Sequence, residues 1–227
     1  MAYPPHLRVL PIALCLVAAA WISFEVADSQ TQAPENDLDH RVVKALRDPQ
    51  NAGRVIGPPF IQEAMRDFTA LGGYAVLITT TVSFAVFAVV ELGRRTLLFF
   101  LLTVIGGYAT SMLLKHVVQR ERPSIVPYLS DVGVSNSFPS THAVMAVVVF
   151  GTIALLLMQR THDRHLRRLM IALPLGLATL VGISRVCMGV HYPTDVLAGW
   201  SGGLLWTWLA FLIRGRFRND ADSDNRI

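Results

Sequence analysis

Several polar side chains lie at the ends of long apolar runs, and their types suit chemistry on a phosphate. Lys115, Arg122 and Arg185 supply three positive charges. The guanidinium fork of arginine matches phosphate oxygens, and lysine adds a point charge. Ser140 follows Pro139 at a predicted helix start, where free backbone N–H groups and a hydroxyl form an anion site. These residue types predict a cradle that stabilises a phosphoryl group during transfer.

Two histidines and one carboxylate supply groups for bond and proton chemistry. His191 lies just before Tyr192-Pro193, so we expect it to precede a helix whose first turn holds Asp195. A carboxylate on one ring nitrogen leaves the other free as a nucleophile. His142, at another predicted helix start, is placed to act as general acid for the leaving group. This scheme uses no metal and no cofactor, and we predict neither.

Long apolar runs carry these residues and define the fold class. Hydrophobic residues make up 52% of the chain and charged residues only 16%, while a helix needs roughly 20 apolar residues to cross a bilayer. Because backbone groups in lipid must be satisfied within each segment, we predict an all-α membrane bundle of about six transmembrane helices. All three polar clusters then fall at one membrane face. The runs lie at about 9–24, 69–90, 96–114, 142–158, 169–188 and 194–213.

A single membrane-embedded domain is predicted over 1–227. The run at 9–24 is interpreted as an anchor, since it is long for a signal-peptide core and no clean cleavage site follows it. The segment 25–68 is predicted to be extracytoplasmic. Its apolar residues between Leu38 and Leu46 have helical spacing, which predicts a short amphipathic helix on the membrane surface.

Arginines in the short loops determine the predicted orientation. The loops at 91–95 and 159–168 hold six arginines against Glu91 and Asp163. The positive-inside rule therefore places both termini and a basic tail at 214–227 in the cytoplasm, with the polar clusters facing the periplasm or exterior of a plasma (inner) membrane. These loops also explain the net charge of +4, so we predict no nucleic-acid partner.

The two cysteines, Cys15 and Cys187, lie inside apolar stretches. We interpret both as small buried hydrophobic residues and predict neither a disulfide nor a metal pair.

The three polar clusters resemble the motifs of the type-2 phosphatidic acid phosphatase superfamily of lipid phosphate phosphatases. The family motifs are Lys-x6-Arg-Pro, Pro-Ser-Gly-His and Ser-Arg-x5-His-x3-Asp. The matching residues here are Lys115 with Arg122-Pro123, Pro139 to His142, and Ser184-Arg185 with His191 and Asp195. The one departure is Thr141, which stands at the glycine position of the second motif.

The resemblance implies a metal-independent phosphatase with a phosphohistidine intermediate on His191. It implies that Asp195 orients this histidine and that His142 protonates the leaving group. Thr141 narrows the space that glycine would leave but keeps its N–H for the phosphate, so we expect activity with an altered substrate preference. The phosphate-binding residues that the resemblance implies are Lys115, Arg122, Ser140, Thr141 and Arg185.

The expected substrate is a lipid phosphate or diphosphate in the bilayer. Candidates are phosphatidate, phosphatidylglycerol phosphate, undecaprenyl diphosphate and the phosphates of lipid A, and we expect the 25–68 segment or the loop near Tyr128 to Val134 to select among them. A lipid-to-lipid phosphotransferase would use the same residues. A vanadate-dependent haloperoxidase has a similar cradle, but six apolar spans argue against it. A transporter or receptor would place charges near helix centres and not at one end.

Overall fold

A computed structural model describes residues 38–132 and 135–224, with side chains up to residue 215. The predicted anchor at 9–24 and Cys15 lie outside the described residues. The elements in chain order are α1 (Leu38–Ala45), β1 (Arg47–Asp48), β2 (Asn51–Val55), α2 (Pro59–Leu71), α3 (Tyr74–Phe87), a π-helical turn (Ala88–Leu92), α4 (Arg94–Val118), α5 (Thr141–Met158), α6 (Arg164–Cys187) and α7 (Pro193–Asp224).

Within the described residues, five helical segments are long and apolar enough to cross a membrane. They are α3 with its π-helical turn, and α4, α5, α6 and α7, with mean hydropathies between 1.6 and 2.2. Each coincides with one of the predicted runs. Large apolar side chains on the bundle surface, such as Val90 and Leu102, are about 70% exposed, as helices facing lipid require. The predicted helical membrane bundle is confirmed.

Helix α5 is the central helix of the bundle. It is the most buried of the five spans and packs against α3, α4, α6 and α7. Gly199 allows α7 to approach α5 closely, because a Cβ at this position would lie 2.8 Å from the backbone oxygen of Ser140. The absence of a side chain there lets the starts of α5 and α7 meet, which brings two of the polar clusters together.

Residues 38–73 form a cap over the end of the bundle where α5 and α7 begin. Helix α1 confirms the predicted short helix, but its apolar residue Val43 is buried against the bundle with Val126 and Val196. The expectation that the apolar side of this helix meets the membrane surface is therefore wrong for Val43. The antiparallel hairpin β1–β2 and helix α2 follow in the cap; neither was predicted.

The last helix is longer than the apolar run that predicted it. Its spanning part is Pro193–Gly215, and the helix continues to Asp224. The segment predicted as a basic tail at 214–227 thus begins as a continuation of α7.

Candidate active site

The three polar clusters meet at the capped end of the bundle. Lys115 lies in the last turn of α4 and Arg185 in the last turn of α6. Ser140 is the N-cap of α5 and Asp195 lies in the first turn of α7. The N–H of Ser140 donates to the backbone oxygen of Asp195 at 3.0 Å, which joins the two helix starts directly. The convergence that the topology predicted is therefore present.

His191 and Asp195 form a buried pair. The Nδ1 atom of His191 lies 3.4 Å from Oδ2 of Asp195, and the two side chains are 2% and 0% exposed. The same carboxylate oxygen accepts hydrogen bonds from the Tyr192 N–H, at 2.9 Å, and from the Ser137 hydroxyl. On the other side of the imidazole, Nε2 lies 3.4 Å from Nη1 of Arg122. One ring nitrogen thus faces a carboxylate and the other faces a cation.

Burial sets the protonation state of His191. Removal from water lowers its pKa to about 4; Asp195 acts in the opposite direction, and Arg185 and Arg122 lower the pKa further. The imidazole is therefore neutral near pH 7, as a nucleophilic nitrogen must be.

Backbone carbonyls hold two of the cations in place. The ammonium group of Lys115 donates to the carbonyl oxygen of Asn136. Arg122 donates from Nε to the carbonyl of Ser135 at 2.9 Å and from Nη1 to the carbonyl of Val190 at 2.7 Å. Burial lowers the pKa of Arg122, but an arginine remains charged at neutral pH. Because carbonyls carry no net charge, these bonds orient the cations without neutralising them.

Arg185 and Ser140 retain hydrogen-bonding capacity inside the site. Arg185 donates from Nη1 to the hydroxyl of Thr69 in α2 at 2.9 Å. Its Nε and the hydroxyl of Ser140 are buried and have no hydrogen-bond partner among the residues described. Ser140 also makes no side-chain cap to α5, so the first N–H groups of this helix are left for an anion.

Thr141 and His142 occupy the first turn of α5. The Thr141 hydroxyl lies 3.1 Å from the hydroxyl of Ser111 in α4, so its side chain belongs to the contact between two helices. His142 lies on another side of α5, where a Cβ built on Gly72 would be 3.3 Å from its ring Cδ2. The cap therefore borders His142. The Thr141 side chain, which stands at the glycine position of the motif, packs toward α4.

The sequence analysis did not single out several residues that the structure brings to this site. Ser137 and Arg120 contact Asp195, Thr69 contacts Arg185, and Asp39 of α1 contacts Arg120. Arg120 lies between Lys115 and Arg122 in sequence, which is a weak signal beside the adjacent charges of Glu121 and Arg122. No pattern pointed to Asp39 or Thr69, because their partners are more than 80 residues away.

Comparison with known proteins identifies the family of the chain. The family model of the PAP2 superfamily matches residues 96–219, more than half of the chain. Phosphatidylglycerophosphatase B of Bacillus subtilis (strain 168) is 35% identical over 167 residues, which cover 72% of this chain and 79% of that protein. Decaprenylphosphoryl-5-phosphoribose phosphatase of Mycolicibacterium smegmatis is 37% identical over 95 residues, which cover 41% of this chain and 46% of that protein.

The fold has a counterpart among solved structures. The crystal structure of a PAP2 type phosphatidylglycerolphosphate phosphatase from Bacillus subtilis superimposes with a TM-score of 0.74 at 28% identity, covering 91% of this chain and 96% of that chain. Fold and site together define a helical membrane phosphatase that acts on lipid phosphates. The chain belongs to the PAP2 superfamily.

Proposed function

We propose that this protein hydrolyses a lipid phosphomonoester through a phosphohistidine on His191. The observation that carries the proposal is the pair of contacts on its imidazole. Nδ1 lies 3.4 Å from Asp195 and Nε2 lies 3.4 Å from Arg122. The carboxylate holds the ring in one tautomer, and Nε2 keeps its lone pair beside the cation that binds the phosphate.

In the first step, Nε2 of His191 attacks phosphorus and the bond to the ester oxygen breaks. His142 donates a proton to that oxygen, so the lipid leaves as an alcohol. In the second step, His142 takes a proton from water, and the resulting hydroxide attacks phosphorus. The P–N bond breaks, inorganic phosphate leaves, and neutral His191 is restored. Asp195 stabilises the positive charge that the imidazole carries while phosphorylated.

The phosphate oxygens are assigned to the unneutralised donors of the site. Lys115, Arg122 and Arg185 supply positive charge, and Ser140 and the backbone N–H of Thr141 supply hydrogen bonds. Donors already fixed in position act without reorganisation as charge develops, which is the main source of catalysis in phosphoryl transfer.

The proposed substrate is phosphatidylglycerol phosphate, because phosphatidylglycerophosphatase B of Bacillus subtilis matches 72% of this chain and 79% of its own length. Phosphatidate and lipid A phosphates carry the same phosphomonoester. Undecaprenyl diphosphate carries a terminal phosphoryl group whose leaving group is a lipid monophosphate. All three belong in the test. The site is proposed to face the periplasm or exterior, with both termini in the cytoplasm. The arginines of the 91–95 and 159–168 loops support this orientation, because they lie at the end of the bundle opposite the site.

Phosphate release by the detergent-purified protein tests the proposal, with these four lipids and a chelator present. We expect release that His191→Ala abolishes, with phosphatidylglycerol phosphate among the best substrates. Release that survives in His191→Ala would show that the nucleophile is another residue. Release only with an added acceptor lipid, and transfer of phosphate to it, would identify a phosphotransferase instead.

A further inference from the structure

Arg120 links the cap to the catalytic carboxylate. Its Nη1 donates to Oδ1 of Asp195 at 2.8 Å, and its Nη2 donates to Oδ2 of Asp39 at 2.7 Å. The two carboxylates are fully buried, and the Arg120 side chain is 13% exposed. Burial alone would lower the pKa of Arg120, but Asp195 and Asp39 raise it above the usual arginine value. The guanidinium is thus a permanent cation between two buried carboxylates.

Asp39 holds this arrangement from the cap side. Its Oδ1 accepts the backbone N–H of Thr194 at 3.1 Å, and its Oδ2 accepts the Thr194 hydroxyl. Thr194 precedes Asp195 in the first turn of α7, so Asp39 contacts the backbone that carries the catalytic carboxylate. The Arg120 guanidinium also lies over the Tyr192 ring, 4.3 Å from its centroid, which limits its remaining freedom.

The division of contacts between the two oxygens of Asp195 gives Arg120 a role in catalysis. Arg120 occupies Oδ1, whereas Oδ2 faces His191, Ser137 and the Tyr192 N–H. If Oδ1 were released, the Ser137 hydroxyl and the Tyr192 N–H would keep Oδ2 near the imidazole, but the angle of the carboxylate to the ring would no longer be fixed.

We propose that Arg120, held by Asp39, is a positioning residue for the His191–Asp195 pair: it fixes the Asp195 carboxylate with Oδ2 toward the histidine and offsets its charge. This inference rests on the proposed function, because it assigns Arg120 and Asp39 to the same reaction. It also makes α1 of the cap part of the catalytic apparatus, although α1 lies about 150 residues before His191 in sequence.

Charge is the second means by which Arg120 acts on His191. Loss of the Arg120 cation would leave Asp195 less neutralised and would strengthen its attraction for a proton on the imidazole. The acid limb of the pH profile of kcat/KM, which reports the requirement for neutral His191, would then move to higher pH. The charged or titratable groups that face His191 from the packed elements are Arg122, His142, Arg185 and Asp195. Lys115 acts on the same cluster through Arg122, Arg185 and Asp195.

The test uses the full-length protein in detergent with phosphatidylglycerol phosphate, or with the best lipid of the panel. For Arg120→Gln we expect kcat to fall by about 10–100-fold, the range seen for residues that hydrogen-bond to metal ligands and orient them, with KM changed much less. We expect the acid limb to rise by about one pH unit. Asp39→Asn keeps an acceptor for Thr194 but loosens Arg120, so kcat should fall by less than in Arg120→Gln. Because it removes a negative charge, the acid limb should move slightly to lower pH, opposite to Arg120→Gln.

Three further variants separate geometry, charge and folding. Arg120→Lys keeps the positive charge but loses the two guanidinium nitrogens that bridge Asp195 and Asp39. The acid limb should therefore stay near its original pH while kcat falls. In Arg120→Gln/Asp39→Asn the loss of kcat should not exceed that of Arg120→Gln, because Asp39 acts through Arg120. Arg41→Gln, at an exposed arginine on α1, is the matched control and should change neither kcat nor the limb.

A purely structural role predicts a different result. It would lower the unfolding temperature and the active fraction of both Arg120→Gln and Asp39→Asn, with the acid limb unmoved, and that outcome would overturn the inference. If Arg120→Gln cannot be purified, Asp39→Asn and Arg120→Lys still decide, because an unmoved limb and unchanged kcat in both refute positioning. Failure of the proposed function is distinct: the unaltered protein would release phosphate from none of the lipids.

Discussion

Replacement of Ser140 by alanine should lower activity without lowering stability. Ser140 is the N-cap of α5, where loss of a capping hydroxyl normally costs about 1 kcal/mol. Here the side chain makes no cap hydrogen bond, and its buried hydroxyl has no partner within the described part of the chain. Among the described residues the Ser140 hydroxyl therefore has no hydrogen bond to lose, and the proposal assigns it to the substrate phosphate.

The size of the effect follows from the bond that the hydroxyl would donate. A hydrogen bond to a charged group contributes about 1.5–3 kcal/mol. At 1.36 kcal/mol for each factor of ten, this corresponds to a loss of about 10–150-fold in kcat/KM. Removal of an unsatisfied buried hydroxyl should leave the unfolding temperature unchanged or raise it, by about 2–4 °C for each kcal/mol gained.

The measurement is kcat/KM for lipid phosphate hydrolysis beside thermal unfolding of the same detergent-purified Ser140→Ala protein. Thr152→Val is the matched control, because the Thr152 hydroxyl is also buried on α5 without a described partner. It lies 12 residues further along the helix, about 18 Å from the site. This control should keep full activity. A Ser140→Ala protein that is less stable and fully active would refute the assignment of this hydroxyl to the phosphate.

Three further changes test other parts of the site. Gly189→Ala should lower the free energy of unfolding by at least about 1–2 kcal/mol, because Gly189 has φ +71° and the new Cβ would lie 2.2 Å from Nη2 of Arg47. Differential scanning fluorimetry measures this loss of stability. Thr141→Gly should lower the free energy of unfolding by about 1 kcal/mol, because the contact with Ser111 is lost and glycine adds freedom to the unfolded chain. Its kcat should stay within about threefold of the original in the phosphate-release assay. Between pH 6.5 and about 4 the unfolded chain binds a proton at His191 that the native protein does not. The free energy of unfolding should therefore fall as the pH is lowered through this window, and His191→Gln should weaken that fall in unfolding scans at pH 5 and 7.

Each of these three changes has a result that would contradict it. Gly176→Ala, at a helical glycine with open space around it, should not destabilise, and equal losses in both glycine variants would exclude the proposed clash. Inactivity of Thr141→Gly would show that the threonine side chain takes part in catalysis. An unchanged pH dependence in His191→Gln would mean that the fold does not suppress protonation of His191.

Much of the fold and the meeting of the candidate site residues was predictable because the signals are local. Apolar runs of bilayer length fixed the described spans to within a few residues, since a lipid environment permits little besides helix. The spacing from Ser184 to Asp195 placed a histidine just before a helix and a carboxylate within its first turn, which brings the two side chains into contact.

The cap was not predictable in the same way. The hairpin β1–β2 is short and polar. Most of helix α2 lies in the 25–68 segment, where no helix was predicted beyond α1, although Pro58-Pro59 is a helix-start signal. The link from Asp39 through Arg120 to Asp195 depends on side chains 75 to 81 residues apart in sequence. No periodicity or motif encodes such a contact, because it arises only when α1 packs onto the start of α7.

A rapid-quench experiment with a lipid whose phosphate carries a radioactive label tests the covalent mechanism most directly. The mechanism predicts labelled protein within the first turnover. The label should be stable to base and lost in acid, as a phosphohistidine is, and should not appear in His191→Ala. Substrate turnover by the unaltered protein with no labelled intermediate, or equal labelling of His191→Ala, would contradict it.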